Sequence, residues 1–207
     1  MKKITGVMSR PLFIDSNEFL SDYLPNQLGR SEHTITSYRN CMRLLRDYIE
    51  KTTQGSFYSF SFDDATRTFF LEFLGWIESR GCCKATRNQR LACIRTYAKF
   101  VMDLEFEMAG WGSNILSIPM TTAEKPIVGW LREEALESIL KQPDSSSRGI
   151  RDSTFMVLMY ETGARVSEML RLHLRDLNLF ASGSSVRLHG KGRKTREVPI
   201  GDKATRL

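Results

Sequence analysis

Two stretches of the chain combine residue types that can bind and activate a phosphate, and the first is "ETGARVSEMLRLHLRDLNL" at residues 161–179. Gly163 predicts the end of one helix, and Arg165 predicts the start of the next. Arg165 and Glu168 are three residues apart, so they share one helix face. An arginine at a helix start, with free backbone N–H groups nearby, suits a phosphate that needs a bidentate donor. For this pair alone, a surface ion pair that contributes little to stability is the alternative.

The second stretch is "LHGKGRKTREVPI" at residues 188–200, and it predicts a basic β-hairpin. Apolar residues alternate on either side of the turn, as two paired strands require; they are Val186, Leu188, Val198 and Ile200. Gly190 and Gly192 permit positive φ angles, so the turn between the strands can be tight and mobile. Positive charge is concentrated at its tip, on Lys191, Arg193, Lys194 and Arg196. A solvated turn without further function is the alternative for the hairpin alone.

Other phosphate and metal motifs do not fit the sequence. A phosphate-binding P-loop needs a glycine six positions before its lysine and Ser or Thr after it, whereas Ser185 and Gly192 occupy these places around Lys191. The cysteines form no CxxC pair, and the histidines lie far from them; these residues are Cys41, Cys82, Cys83, Cys93, His33, His173 and His189. We therefore expect reduced cysteines on or near helical core faces, no metal and no cofactor.

Helical periodicity in the first half of the chain predicts a compact four-helix bundle. The four segments are 14–24, which Pro25 is expected to end, 32–51 after Ser31, 63–81 with Ser61 or Asp63 as its cap, and 84–106. The outer face of the fourth helix is expected to be basic and to carry Lys84, Arg87, Arg90, Arg95 and Lys99.

Periodicity is lost over "AGWGSNILSIPMTTAEKP", which we interpret as an interdomain linker at residues 109–126. A helical domain at residues 12–108 then precedes a second domain at residues 127–207. In the second domain, "LREEALESILKQ" predicts a helix, "IRDSTFMVLMYETG" a better buried helix, and residues 165–172 a short one. Beyond Asp176 the period becomes two, which predicts strands at "LNLF", "SVRLH" and "TREVPI".

The charge and hydropathy of the chain limit its partners and its location. The 207 residues carry a net charge of +6 with a pI of about 9.2, which favours a polyanion as partner. No apolar run reaches the roughly 18 residues of a membrane span, and no apolar region follows the basic N-terminus as a secretory signal requires. We expect a cytoplasmic protein that does not associate with membranes.

Taken together, "TGARVSEMLRLHLRDLNL" and "VRLHGKGRKTREVPI" resemble the tyrosine recombinase, or phage integrase, family. In that family a TGxRxSExLxLxxxD box leads into a three-stranded sheet that bears a GKGxKxRxVP hairpin. The segments "TITSYRN" and "ATRNQRLACIRTYAKF" are similar to the family's core-binding domain. The resemblance implies a mainly α fold with a small antiparallel β-sheet: a four-helix core-binding (SAM-like) domain, then the N-terminal part of an α+β catalytic domain.

The resemblance also implies roles for individual residues. Arg165 matches the arginine that holds the scissile phosphate, Glu168 the acidic residue that supports the site, and Lys191 the general acid that protonates the 5′-oxygen. The implied partner is double-stranded DNA, with a tetrameric synapse in an intact enzyme. The expected DNA contacts come from both domains: Thr34, Ser37, Lys84, Thr86, Arg87, Arg90, Arg193 and Lys194.

The 207 residues depart from the family pattern in its second half. No histidine is followed three residues later by arginine, so no HxxR box is present, and all six tyrosines precede the hairpin. Tyr160, on a helix predicted to be core, is not expected to be the nucleophile. We expect a recombinase interrupted within its catalytic domain, so that this chain alone is not catalytically competent. The alternatives are a DNA-binding relic or competitor of an intact recombinase and, more remotely, a helical interaction domain without a nucleic-acid role.

Overall fold

The structure, a computed structural model, describes residues 6–53, 56–123, 129–180, 183–190, 192 and 194–205, without the side chain of residue 203. The chain divides into two compact units, Met1–Pro126 and Ile127–Leu207. Helices dominate, and the described strands form one small antiparallel sheet, so the predicted fold class is confirmed. Among the described residues, no helix is both long enough and apolar enough to cross a membrane.

The first unit is helical. Its elements are α1 (Ser16–Glu18), a π-helical continuation (Phe19–Gln27), α2 (Glu32–Thr52), α3 (Arg67–Ser79), α4 (Lys84–Leu104) and α5 (Ala109–Leu116), with short 3-10 turns at Val7–Ser9 and Phe106–Met108. Pro25 lies inside the π-helical turn and does not end the helix as expected. The wider turn closes two residues later, where the N–H of Leu28 donates to the carbonyl of Tyr23 (3.0 Å).

The core of the first unit forms between the apolar faces that the periodicity predicted. On α4, apolar residues recur every three or four positions and all are buried: Leu91, Ile94, Tyr97, Ala98 and Val101. Phe19 lies at the centre, with the rings of Tyr97 and Phe100 at 5.1 and 5.3 Å. Helix α3 begins later than predicted, because Thr66 is its cap and accepts a hydrogen bond from the N–H of Phe69 (3.2 Å). The predicted caps, Ser61 and Asp63, lie outside the helix.

The structure differs from the expected linker at 109–126, because residues 109–116 form α5 and pack into the first unit. Trp111, Ile115 and Ile118 recur at i, i+4 and i+7 and are all buried. The indole N–H of Trp111 donates to the carbonyl of Ala65 (2.8 Å). A Cβ at Gly112 would overlap with the side chain of Met102, so this glycine permits close packing of α5 on α4. Glycine and serine content therefore concealed a core helix.

The second unit combines helices with the three-stranded sheet. Its elements are α6 (Glu133–Leu140), α7 (Ser147–Thr162), α8 (Val166–Met169), a 3-10 turn (Leu174–Asp176), β1 (Leu177–Phe180), β2 (Gly183–His189), β3 (Thr195–Ile200) and α9 (Asp202–Thr205). The strand order is β1-β2-β3, all antiparallel, and Leu188 of β2 faces Arg196 of β3. Val186 and Leu188 turn into a core with Val157, Leu158 and Met169.

Helix α7 is less buried than predicted. Val157 and Leu158 are buried, but Tyr160 is 63% exposed and Ile150 is 46% exposed. The expectation that Tyr160 belongs to the core is wrong, because only one side of α7 contacts the sheet and α8. The cysteines are free thiols: Cys41 and Cys93 are buried on α2 and α4, whereas Cys83 is exposed.

Candidate functional site

Arg165 stands at a sharp reversal between α7 and α8. Gly163 ends α7 in the left-handed conformation (φ 58°), which glycine adopts without strain. The hydroxyl of Thr162 accepts a hydrogen bond from the N–H of Ala164 (3.2 Å), and the side chain of Ala164 is buried. Arg165 follows as the N-cap of α8 in an extended conformation, with 69% of its side chain exposed. The turn thus presents a guanidinium to solvent from a rigid backbone.

Glu168 is the buried anchor of this site, with only 3% of its side chain exposed. Its carboxylate accepts the backbone N–H of Arg165 at Oε2 (2.9 Å) and Nη1 of Arg165 at Oε1 (2.9 Å). Arg196 on β3 approaches from the other side and donates Nη1 to Oε1 (3.1 Å) and Nη2 to Oε2 (2.8 Å). Since the carboxylate is buried between two arginines, the pair is not the weak surface contact that the spacing alone permitted.

The electrostatics of the site keep Glu168 ionised. The hydrogen bonds from Arg196, then from the backbone and side chain of Arg165, lower the pKa of Glu168 from 4.5 to about 2, although burial opposes them. The same ion pair raises the pKa of Arg196. One carboxylate and two guanidiniums leave an excess positive charge at neutral pH, which suits a phosphate diester.

The hairpin lies directly against this carboxylate. Its neck is closed by a hydrogen bond from the N–H of Gly190 to the carbonyl of Lys194 (2.7 Å). Gly192 has a φ of 78°, as expected, but Gly190 does not have a positive φ. Gly190 is needed for another reason: a Cβ there would lie 2.9 Å from Oε1 of Glu168. Lys191 and Arg193 lie outside the described residues, and Lys194 is exposed.

Asp176 forms a second buried carboxylate, at the end of the sequence box that begins with Arg165. It is 4% exposed and accepts the backbone N–H of His173 (3.0 Å), while Nε2 of His189 lies 3.4 Å from Oδ1. The hydrogen bond from His173, followed by that from His189, lowers the pKa of Asp176. His189 also contacts the hydroxyl of Thr195 across the hairpin (3.1 Å). Asp176 therefore ties the start of the sheet to the base of the hairpin.

Arg196 and Asp176 were missed as site residues by the sequence reasoning. Both stand at fixed positions of the two boxes, the final acidic position of the first and the "KxR" position of the second. These fixed positions could have identified both residues as candidates for the site. Their partners are 28 and 13 residues away in sequence, so spacing on one element could not pair them.

In the first unit, the N-terminal parts of α2 and α4 lie side by side. The side-chain amide of Gln89 donates to the hydroxyl of Ser37, and Nη1 of Arg90 donates to the carbonyl of Ser37 (3.3 Å). Lys84 is exposed at the start of α4. Thr86 and Thr34 are half-buried, each with a local partner: Cys83 for Thr86 (3.3 Å) and Ser31 for Thr34 (3.1 Å). Of the predicted contacts, Ser37 and Arg90 thus lie together on the surface that α2 and α4 form, and Lys84 is exposed at the start of α4.

Arg87 does not lie on that surface, so its expected place on the outer face of α4 is wrong. It is 6% exposed, and its Nε lies 3.5 Å from a carboxylate oxygen of Glu78 on α3. Arg87 precedes Leu91 by four residues and Ile94 by seven, which places it on the buried face. Arg95 also bonds internally, to the carbonyl of Ile118, whereas Lys99 is exposed.

Two family models match this chain, one in each of its two units. The Phage integrase family matches residues 129–207, and the Phage integrase N-terminal SAM-like domain matches residues 17–104. A putative integrase/recombinase, y4rD, of Sinorhizobium fredii is 32% identical over 179 residues, covering 86% of this chain and 64% of the relative. Tyrosine recombinase XerD of Staphylococcus epidermidis is 30% identical over 190 residues, covering 90% and 61%. The chain thus spans less than two thirds of these relatives.

Two solved structures share the fold. The XerH site-specific recombinase, in a post-cleavage complex with a palindromic difH substrate, superposes with a TM-score of 0.62 at 20% identity, covering 83% of this chain and 50% of that one. The integrase of transposon Tn1549, in complex with circular intermediate DNA, gives a TM-score of 0.59 at 17% identity, covering 96% and 63%.

Proposed function

This chain belongs to the tyrosine recombinase (phage integrase) family, and from that premise we propose that it binds double-stranded DNA and holds the phosphate at which a recombinase breaks and rejoins a strand. The observation that carries the proposal is the exposed guanidinium of Arg165, fixed by the buried carboxylate of Glu168. A guanidinium has five N–H donors, and among the described residues one of these is bonded, to Glu168. The others are available to two phosphate oxygens.

In the proposed reaction, Arg165 neutralises the charge that develops on the non-bridging oxygens of the scissile phosphate. A tyrosine of the intact enzyme, whose hydroxyl proton passes to solvent, attacks phosphorus and forms a 3′-phosphotyrosyl bond, while the bond to the 5′-oxygen breaks. Lys191 gives that oxygen its proton. Rejoining is the reverse, with the 5′-hydroxyl as nucleophile, so no metal, cofactor or nucleotide is consumed.

The first unit supplies the proposed contacts to the duplex away from the scissile phosphate. Ser37 and Arg90 are joined by a hydrogen bond, and Lys84 is exposed at the start of α4. Such hydroxyl and cationic groups bind backbone phosphates and set the register of a protein on DNA without reading its sequence. The XerH and Tn1549 integrase structures hold DNA, which supports the same partner for this chain.

The proposal extends to the whole enzyme. Strand exchange between two duplexes needs four active sites, so we propose that the intact recombinase acts as a homotetramer on paired DNA sites. Because the proposed substrate is DNA, we propose that the enzyme acts in the cytoplasm.

Two experiments test the proposed function. In the first, fluorescence anisotropy of a labelled duplex measures the affinity of the 207-residue chain at different salt concentrations. With six cations at phosphates (Lys84, Arg90, Arg165, Lys191, Arg193 and Lys194), affinity should fall by about 10³-fold between about 50 and 200 mM salt. An affinity that does not change with salt would refute the electrostatic basis of the proposal.

The second experiment offers nicked suicide DNA to the same 207 residues. We expect binding without a covalent protein–DNA adduct, because none of the six tyrosines follows the hairpin. Binding without an adduct is also what a non-catalytic competitor gives, and inhibition of an intact recombinase on the same site identifies that function. A trapped adduct would show that one of these tyrosines is the nucleophile.

A further inference from the structure

We infer that Arg196 is a positioning residue, which locks the Glu168 carboxylate and thereby holds Arg165 and Gly190, the residue before Lys191, in place. The inference rests on the proposed function of Arg165 and Lys191 and adds the part that couples them. Arg196 itself is not proposed to touch the DNA.

The first step is the geometry of Arg196. Its two terminal nitrogens donate to the two oxygens of Glu168, at 3.1 and 2.8 Å. Such fork-to-fork pairing fixes the plane of the carboxylate, which a lysine cannot do with its single ammonium. The backbone of Arg196 is fixed in turn by the sheet, where it pairs with Leu188, a fully buried residue. The carboxylate is thus held by a rigid element.

The second step is the way the carboxylate orients Arg165. Oε1 accepts Nη1 of Arg165 and Oε2 accepts its backbone N–H, both at 2.9 Å. Each oxygen therefore bridges one nitrogen of Arg196 and one of Arg165. Without Arg196, the carboxylate could rotate about its last bond and still keep the N–H of Arg165, so the guanidinium would lose its fixed direction.

The third step links the same carboxylate to the hairpin. Space for a Cβ at Gly190 is taken by Oε1 of Glu168 at 2.9 Å and by Nη1 of Arg196 at 3.6 Å. Gly190 closes the hairpin neck through its bond to Lys194, and Lys191 is the next residue in the chain. The backbone of Gly190 thus packs closely against both side chains, and we expect a displacement of Arg196 or Glu168 to shift this backbone. Arg165 and Gly190 therefore both contact one buried group, Glu168.

Arg187 provides a matched control in the same sheet. It stands on β2 and approaches Glu197 of β3 at 3.9 Å, with both side chains about half exposed (47% and 49%). Arg187→Gln removes the same charge as Arg196→Gln from the same sheet, but from an exposed pair that does not include Glu168.

The test uses the 207-residue chain and compares Arg196→Gln, Arg196→Lys and Arg187→Gln. Carbon-13 NMR of the Glu168 carboxyl should show its pKa rise from about 2 toward 4.5 in Arg196→Gln and stay low in Arg187→Gln. Hydrogen exchange at the amide of Gly190 should accelerate in Arg196→Gln only. Arg196→Lys should recover the charge but only part of the protection, because lysine lacks the fork.

Duplex affinity distinguishes positioning from direct contact. Arg196→Gln should weaken binding roughly tenfold, the scale of one charged hydrogen bond, and the loss should vanish in an Arg165→Ala background. Fully additive losses would overturn the inference, because they make Arg196 an independent phosphate contact. An unchanged Glu168 pKa with unchanged exchange at Gly190 would also overturn it.

The Arg165→Ala variant tests the proposed function independently of the role of Arg196. If Arg165→Ala alone leaves duplex affinity and its salt dependence unchanged, the phosphate-binding role fails, while the NMR measurements still decide whether Arg196 positions Glu168. A variant that loses its dispersed NMR spectrum is replaced by Arg196→Lys, which preserves the charge of the pair.

Discussion

Replacing Trp111 with alanine tests whether α5 belongs to the core of the first unit, where the composition indicated a linker. The side chain is 8% exposed, and its ring meets Phe62 edge to face at 5.0 Å. Truncating a core tryptophan costs about 3–5 kcal/mol. We expect about 5 kcal/mol, because Ala65, which is fully buried, also loses the indole donor of its carbonyl at 2.8 Å.

Urea unfolding followed by far-ultraviolet circular dichroism measures this effect on the whole chain. With an m-value of about 2 kcal/mol per molar urea, the midpoint of the first unit should fall by roughly 2.5 M. Trp111→Phe keeps most of the apolar volume and loses the hydrogen bond, so it should cost about 1–3 kcal/mol. The transition of the second unit should not move.

Phe106→Ala is the control, since it removes an aromatic ring five residues earlier that is 88% exposed. Its effect should remain within about 0.5 kcal/mol, as for most surface substitutions. If Trp111→Ala had an effect as small as that of the control, residues 109–116 would not be packed, and the assignment of α5 to the core would be refuted.

Four further predictions concern the site, the proposed DNA surface and buried Arg87. Gly190→Ala should displace Glu168, whose Oε1 lies 2.9 Å from the added Cβ, and weaken duplex binding in anisotropy while helix content is unchanged. The pKa of Glu168 is depressed, so its contribution to stability is present above pH 4.5 and is lost as pH falls toward about 2. The free energy of unfolding of the second unit should therefore fall less steeply with acid in Glu168→Gln than in the unchanged chain. Lys84→Ala should reduce the slope of log K against log salt by about 1. Arg87→Gln, buried beside Glu78, should lower the urea midpoint and leave that slope unchanged.

The sequence was sufficient for features that local spacing controls. Helical periodicity located α2 and α4 to within a few residues, and alternation located the strands. The three-residue spacing of Arg165 and Glu168 put them on one face, and the structure joins them at 2.9 Å. These features follow from the 3.6- and 2-residue periods, which each element carries in its own residues.

Long-range contacts explain what spacing did not show. The spacing of Arg87 to Leu91 and Ile94 places it on the buried face of α4, but its partner there, Glu78, belongs to a different helix. The requirement for glycine at 190 depends on a carboxylate from α8. At residue 190 the sequence suggested that glycine is needed for a flexible backbone, whereas the structure shows that there is no space for a side chain. The error at Gly190 comes from assigning to local conformation a residue type that tertiary packing requires.

For the proposed phosphate-binding role of Arg165, the arrangement around Glu168 has an energetic advantage, because it anchors the side chain before the ligand arrives. A free arginine side chain has about 2 kcal/mol of rotamer entropy to lose when it binds. Because Glu168 already holds Arg165, that loss occurs on folding and not on binding, which favours the phosphate complex. Arg196 is essential to this argument, since a single carboxylate facing a single arginine would leave no excess charge for the phosphate. With two guanidiniums on one buried carboxylate, the site is both ordered and positive.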